Sequence, residues 1–185
     1  MALLLGTLAR AGGIWGRTVG INFVLAAKQG NLFKFAKGAL PGSNAGFLDG
    51  WINDMSSGLH YITAAGVGKN DFDLGHFFGT APEGGVGGGF PCQLDWKVGG
   101  ATQLEQPVGD SFDVNYVAHE LGHQFNTAHT WSGSKGGCTA DQFDAKAAVE
   151  LGAGSTLETY AGDCLEDNTK PSNDPYFHVY SVRNE

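Results

Sequence analysis

The sequence predicts a mixed α/β (α+β) fold, and three stretches carry that prediction. "DVNYVAHELGHQF" has the apolar spacing of a helix, "INFVLAA" is an apolar run of strand length, and residues 79–111 are glycine-rich with short strand-like pieces. The 185 residues, 42% apolar and 11% aromatic, suffice to bury the core of one domain.

Taken in chain order, "LLLGTLARAGGIWGRTVG" reads as a helix weakened by glycines. Its leucine run lacks the basic start and long apolar centre of a signal peptide, so it reads as one helix face. "INFVLAA", apolar on both faces, reads as a central strand. Residues 38–50 form a loop, and "GFLDGWINDM" a short helix. "FDLGHFFGT" fits strand or loop. Short strands are expected around "FPCQLDW" and "GGATQL". "DVNYVAHELGHQF" is the clearest helix, with Ser111 or Asp113 as its cap and Val114, Val117, Ala118, Leu121 and Phe125 as its apolar stripe. "DAKAAVELGAG" is mildly helical. The tail "KPSNDPYFHVYSVRNE" opens in turn signals and ends as a helix start.

Composition removes several functions. The net charge of −8 and the lack of any basic run argue against nucleic acid or an anionic membrane as partner. No apolar stretch is long enough to span a bilayer. No GxGxxG, GxxxxGK or GxSxG occurs, so neither a phosphate cradle nor a serine-hydrolase elbow is supported. Cys92, Cys138 and Cys164 form no CxxC pair, which argues against a cysteine zinc site.

The chemistry concentrates in "HELGHQFNTAH", His119 to His129. Four residues of helix rotate by roughly 400° and rise about 6 Å, so His119 and His123 project from one face, a turn apart. Two imidazoles so placed can share one ion, and Glu120, about 100° round, can act as a general base without binding the ion. His129 can join them only if the backbone reverses soon after His123. Asparagine follows glycine in tolerance of the left-handed conformation that such a reversal needs, which gives Asn126 its expected job. Three histidines then leave one tetrahedral position open, the arrangement of a catalytic rather than a structural zinc site.

"HELGHQFNTAH" resembles the metzincin motif HExxHxxGxxH. With "VGDSFDVNYVAHELGHQF", "GSTLETYAGDC", "DNTKPSNDPYFH", "NDFDLGHFF" and "KVGGATQLEQPVGD", the chain resembles the reprolysin-like (adamalysin-type) zinc metallopeptidases from about Ile14 to His178. The resemblance implies a twisted mixed β-sheet with an active-site helix and a smaller irregular C-terminal subdomain. It divides the single domain, 1–185, into an upper part of about 1–126 and a lower part of about 127–185. Relative to the family, the first strand and the C-terminal end are expected to be missing. The implied function is that of a secreted, monomeric endopeptidase: Zn2+ bound by His119, His123 and His129, Glu120 as base and proton shuttle, and a protein or peptide substrate held extended. "WKVGGATQL" resembles the family's edge strand above the cleft, where substrate pairs. A Cys138–Cys164 disulfide is also implied, and Cys92 resembles a family cysteine whose partner lies nearer the domain's end.

Two departures from the pattern matter. Asn126 replaces the usual glycine. Glu158 occupies the position of the methionine that forms the turn beneath the zinc in metzincins. A carboxylate there needs a partner or resists ionisation, which opens the alternative of a zinc-binding but catalytically inactive metzincin-like domain or fragment. Tyr160, two places on, matches a tyrosine that reaches the zinc or the oxyanion in some relatives; the bland reading is a packed aromatic. His60, His76 and His178 read as structural, and the four tryptophans as core or cleft wall.

Overall fold

A computed structural model describes residues 2–28, 30, 55–80 and 84–183. The expected loop at 38–50 and Trp51 lie outside these residues, as does all but the end of the helix expected over "GFLDGWINDM".

The first helix forms as expected: α1 spans Ala2–Thr18 and buries Ala11, Ile14 and Trp15 completely, the i, i+3, i+4 pattern of a single face. Gly20, at φ 77°, ends it in the left-handed region, with its N–H on the Trp15 carbonyl. The next segment corrects the sequence reading. "INFVLAA" is not a central strand; no described residue pairs with it, and Val24 is 88% exposed. Only alternate residues face inward: Ile21 packs against the core, and Phe23 stacks edge-on to Trp15 at 5.5 Å. An apolar run therefore mimicked two-sided burial where one side alone is covered.

Helix α2, Met55–Ala64, follows, with Ile62 packed on Val67 and Val98. Among the described residues the sheet comprises β1 (His76–Gly79), β2 (Gly84–Val86) and β3 (Gly100–Gln103), in the order β1-β3-β2. β1 runs parallel to β3 and β2 antiparallel to it. The stretch "WKVGGATQL" thus supplies the middle strand, buried along its length, and not the edge. Among the described residues the edge beside the site is β2, "GGV", whose two glycines hid it from a reading based on β-propensity. "FPCQLDW" forms turns instead of a strand, bonded within itself from Gln93 N–H to the Phe90 carbonyl and from Trp96 N–H to that of Gln93. Trp96 lies 52% exposed there, whereas Trp15 and Trp131 are fully buried.

The long helix α3 runs over residues 110–124 in three pieces: an α-turn at Asp110–Phe112, a π-helical stretch at Asp113–Ala118, and an α-helix at His119–Gln124. It starts a turn earlier than expected, behind Gly109 at φ 76°, so neither Ser111 nor Asp113 caps it. Asp110 suits the positive N-terminal end and is gripped by Arg10 of α1, Nε to Oδ1 at 2.7 Å and a second guanidinium nitrogen to Oδ2 at 2.8 Å. The expected stripe is real: Val114, Val117, Ala118 and Leu121 are buried against Ala11, Ile14 and Trp15, with Phe125 at their margin.

Beyond α3 the chain is nearly free of regular structure until α4, Val179–Arg183. A 3-10 turn at Leu165–Asp167 and a bridge between Trp131 and Glu150 are the exceptions. "DAKAAVELGAG" contains a turn and the bridge, not a helix. Side chains organise this part. Glu150 accepts from Ser155 N–H (2.9 Å), Thr156 N–H (3.2 Å) and the hydroxyls of Thr130 (2.8 Å) and Thr156. Cys138 and Cys164 are joined in the disulfide that the resemblance implied. Closing that loop, a separation of 26 residues, stabilises by about 3.5 kcal/mol in the chain-entropy model.

Candidate metal centre

His119 and His123 lie one helical turn apart at the end of α3, with ring centroids 4.6 Å from each other. The helix then stops in a Schellman motif. Asn126 sits at φ 66°, its N–H donating to the His123 carbonyl (3.0 Å), while Thr127 N–H reaches back to Gly122 (3.0 Å). The reversal assigned to Asn126 from the sequence is therefore made by Asn126, and it returns the chain so that His129 faces the two helical histidines.

The three Nε2 atoms converge. Those of His119 and His129 each lie 3.0 Å from that of His123, and all three ligand atoms fall within 4.8 Å of one another. Every Nδ1 is held by a main-chain carbonyl: His119 by Leu157 (2.6 Å), His123 by Thr127 (2.9 Å) and His129 by Gln142 (2.7 Å). A carbonyl only accepts, so each Nδ1 carries the proton and each Nε2 presents a bare lone pair. Burial lowers the proton affinity of all three rings, that of His123 to about 4. Their mutual repulsion lowers it further for His119 and His123. Three neutral imidazoles with lone pairs aimed at one point repel each other unless a cation lies between them. The donor set of three neutral nitrogens fits zinc.

Glu120 is 6% exposed, and its Oε2 has no hydrogen-bond partner among the described residues. Burial pushes its carboxyl well above the ordinary carboxylate range. β2 and the glycine that follows it press on it so closely that a Cβ on Gly85 would stand 2.3 Å from Glu120 Oε1, and one on Gly87 would stand 2.2 Å from the Glu120 carbonyl oxygen. The glycines of "GGVGGG" are thus what lets an edge strand lie against the helix.

Glu158 is completely buried beneath the centre. Its Oε2 is 3.5 Å from His123 Nδ1, a neighbour to a proton that the Thr127 carbonyl takes at 2.9 Å. Its Oε1 occupies the space that a side chain at position 122 would need, 2.0 Å from a Cβ built there, so the glycine of "HELGH" makes room for this carboxylate. The Tyr160 ring packs edge-on to His129 at 4.6 Å and against Trp131 at 5.4 Å. Its hydroxyl lies 3.4 Å from Gln142 Oε1, and burial raises the phenol's pKa.

The other histidines stand apart. His76 bridges β1, β3 and α3, with Nδ1 on Gln124 Oε1 and Nε2 on Thr102 Oγ1, both at 2.7 Å. Burial lowers its pKa to about 4. His60 is exposed, and His178 Nδ1 accepts from the Tyr180 N–H at 3.0 Å. Cys92 is a free, exposed thiol 3.8 Å from Asp73 Oδ1. The sequence reading missed Leu157, Thr127 and Gln142, since they act through the main chain, which no motif records.

A family model of reprolysin-like metallopeptidases, family M12B, matches residues 5–130, a span that includes the three histidines and ends before Glu158 and Tyr160. No curated protein and no solved structure matches the chain.

Proposed function

Since the chain belongs to the reprolysin-like metallopeptidases of family M12B, we propose that it is a zinc-dependent endopeptidase, with His119, His123 and His129 as the ligands and Glu120 as general base. The observation that carries this reading is the convergence of three bare Nε2 atoms whose Nδ1 protons are locked on carbonyls. Bound zinc supplies Lewis acidity, which makes a water nucleophilic near neutral pH and polarises a peptide carbonyl. The chain's residues do the rest. The three carbonyls keep the imidazoles in one tautomer and orientation. Glu120, next to His119 on the helix and with Oε2 uncommitted, takes the proton of the attacking water and passes it to the leaving amine. β2 pairs with β3 on one edge only among the described residues, and its other edge receives an extended protein or peptide substrate through main-chain hydrogen bonds. Tyr160 flanks the centre and is assigned the contact to the developing oxyanion.

The Cys138–Cys164 disulfide supports an oxidising compartment, hence secretion. No helix among the described residues is long and apolar enough to cross a membrane.

One observation favours a second reading, that of a zinc-binding but inactive domain. Glu158 puts a fully buried carboxylate under His123, where the family resemblance expects methionine. One experiment separates the two. The zinc-loaded chain is assayed on a casein-type substrate, with and without chelator, beside Glu120→Ala. The proposal expects chelator-sensitive cleavage that drops by about 10²–10⁴-fold in the variant while zinc stays bound. Stoichiometric zinc without any cleavage supports the inactive reading, and cleavage unchanged by Glu120→Ala removes the base.

A further inference from the structure

Asn173 lies 44 residues beyond His129 in sequence and outside the matched span, yet it shares an acceptor atom with a histidine of the metal centre. It is 8% exposed. Its Nδ2 donates to the carbonyls of Leu157 (3.3 Å) and Thr159 (3.0 Å). Its Oδ1 accepts from the Ala161 N–H at 3.2 Å, and shares the Thr159 hydroxyl proton (3.1 Å) with the Thr156 carbonyl (2.7 Å). That uses both donors and both acceptor sites of a carboxamide. The Asn173 main-chain N–H donates to Asn115 Oδ1 at 3.2 Å.

The Leu157 carbonyl is the shared atom. It accepts from Asn173 Nδ2 and also from His119 Nδ1, at 2.6 Å. Asn115 precedes His119 by four residues on α3. A closed circuit results: His119 ring, Leu157 carbonyl, Asn173, Asn115, and back along the helix to His119. We propose that Asn173 is a positioning residue for the metal centre, holding the Leu157 carbonyl where it fixes the tautomer and orientation of His119. This inference rests on the reading of the three histidines as zinc ligands.

The side-chain chemistry is specific. Asn173 aims two protons at two carbonyl oxygens that belong to the segment under the zinc site. An aspartate would aim lone pairs at those oxygens and push the Leu157 carbonyl off its line to His119. An alanine would leave the Leu157 carbonyl with the histidine alone and the Ala161 N–H without its acceptor. Groups bonded directly to a metal's ligands, here the Leu157 carbonyl on His119, commonly govern its affinity, and Asn173 acts through that carbonyl.

The test uses zinc affinity, measured by competition with a chromophoric chelator, and the visible spectrum of the Co2+-substituted protein. Asn173→Ala and Asn173→Asp are compared with the native chain and with Ile62→Ala, a control that loosens the separate Ile62–Val67–Val98 cluster. Zinc affinity is expected to fall by about 10-fold, the lower end for groups bonded directly to a ligand, in both Asn173 variants, with a displaced cobalt band. Ile62→Ala should melt earlier but keep the native affinity and band. Asn115→Ala, which removes only the acceptor of the Asn173 N–H, should shift both readouts in the same direction by less. Native affinity and band in Asn173→Ala overturn the inference. If neither Asn173 variant folds, Asn115→Ala decides, and an unchanged band there overturns it equally. A native chain that takes up no zinc sinks the zinc reading itself, whereas a zinc-binding native chain with indifferent variants sinks the positioning role alone.

Discussion

The helical half and the irregular half of this molecule hold the same three imidazoles by different means. His119 and His123 are placed by α3, whose periodicity sets them one turn apart and whose apolar stripe locks the helix against α1. His129 and all three supporting carbonyls come from the stretch 127–157, where helices and strands are absent. There the chain is held by a disulfide, by the Glu150 carboxylate among its donors, and by Asn173. Regular structure sets direction through repetition. Irregular structure sets it through individually satisfied polar groups, each of which matters more when lost.

The contrast gives a ranked set of outcomes. The largest effect on each half should come from its main anchor. Cys138→Ser should cost about 3.5 kcal/mol of stability, and hydrogen exchange should show lost protection concentrated between the two cysteines while α1 and α3 keep theirs. Leu121→Ala should cost about 2–5 kcal/mol and weaken α1 and α3 together. Uniform loss in both variants would mean that the halves are not separately anchored. Gly87→Ala comes next. A methyl there meets the Glu120 carbonyl at 2.2 Å and His123 Cβ at 2.5 Å, so β2 must retreat at a cost of about 1–3 kcal/mol. Peptide cleavage should fall while zinc content holds; native cleavage would show that β2 does not border the substrate.

The junction of the halves comes third. Asn126 sits at φ 66°, so Asn126→Val should destabilise by about 1–2 kcal/mol in thermal melts and Asn126→Gly should not destabilise at all. Equal stability in both would deny the junction its left-handed turn. The smallest effect, read as a slope in pH, belongs to the titration of His76. Its folded pKa, about 4, lies below the ordinary 6.5, so between those values the unfolded chain binds more protons and stability falls as pH drops through that window. In zinc-loaded protein, His76→Asn loses the two hydrogen bonds of the ring but should flatten that slope, so its Tm deficit against the native chain narrows from pH 7 to pH 5. An unchanged slope would point to other groups as the acid-sensitive ones.

What the sequence made legible divides along the same line. The offsets of His119 and His123, the stripe from Val114 to Leu121, and the bend at Asn126 were readable because each follows from helix geometry or from one residue's backbone preference. The sheet was read less well. "INFVLAA" looked two-sided because composition cannot report that only one side is covered. β2 was missed as the edge because glycines carry no strand signal. The irregular half gave away least. Its contributions to the centre are carbonyl oxygens at Leu157, Thr127 and Gln142, and every residue has a carbonyl. Asn173 stands among turn-forming residues, and nothing local marks it as reaching across to Leu157. The burial of Glu158 was foreseeable from its alignment with the turn methionine, but its accommodation by Gly122 is a tertiary fact.

The central claim is that one ion sits among three imidazoles drawn from both halves. X-ray absorption at the zinc edge of the loaded chain tests it directly. The account predicts one zinc per chain with three imidazole nitrogens at about 2.0–2.1 Å and one further light-atom ligand, reduced to two imidazoles in His129→Ala. Two or fewer imidazoles in the native chain, or a sulfur ligand from Cys92, would contradict it.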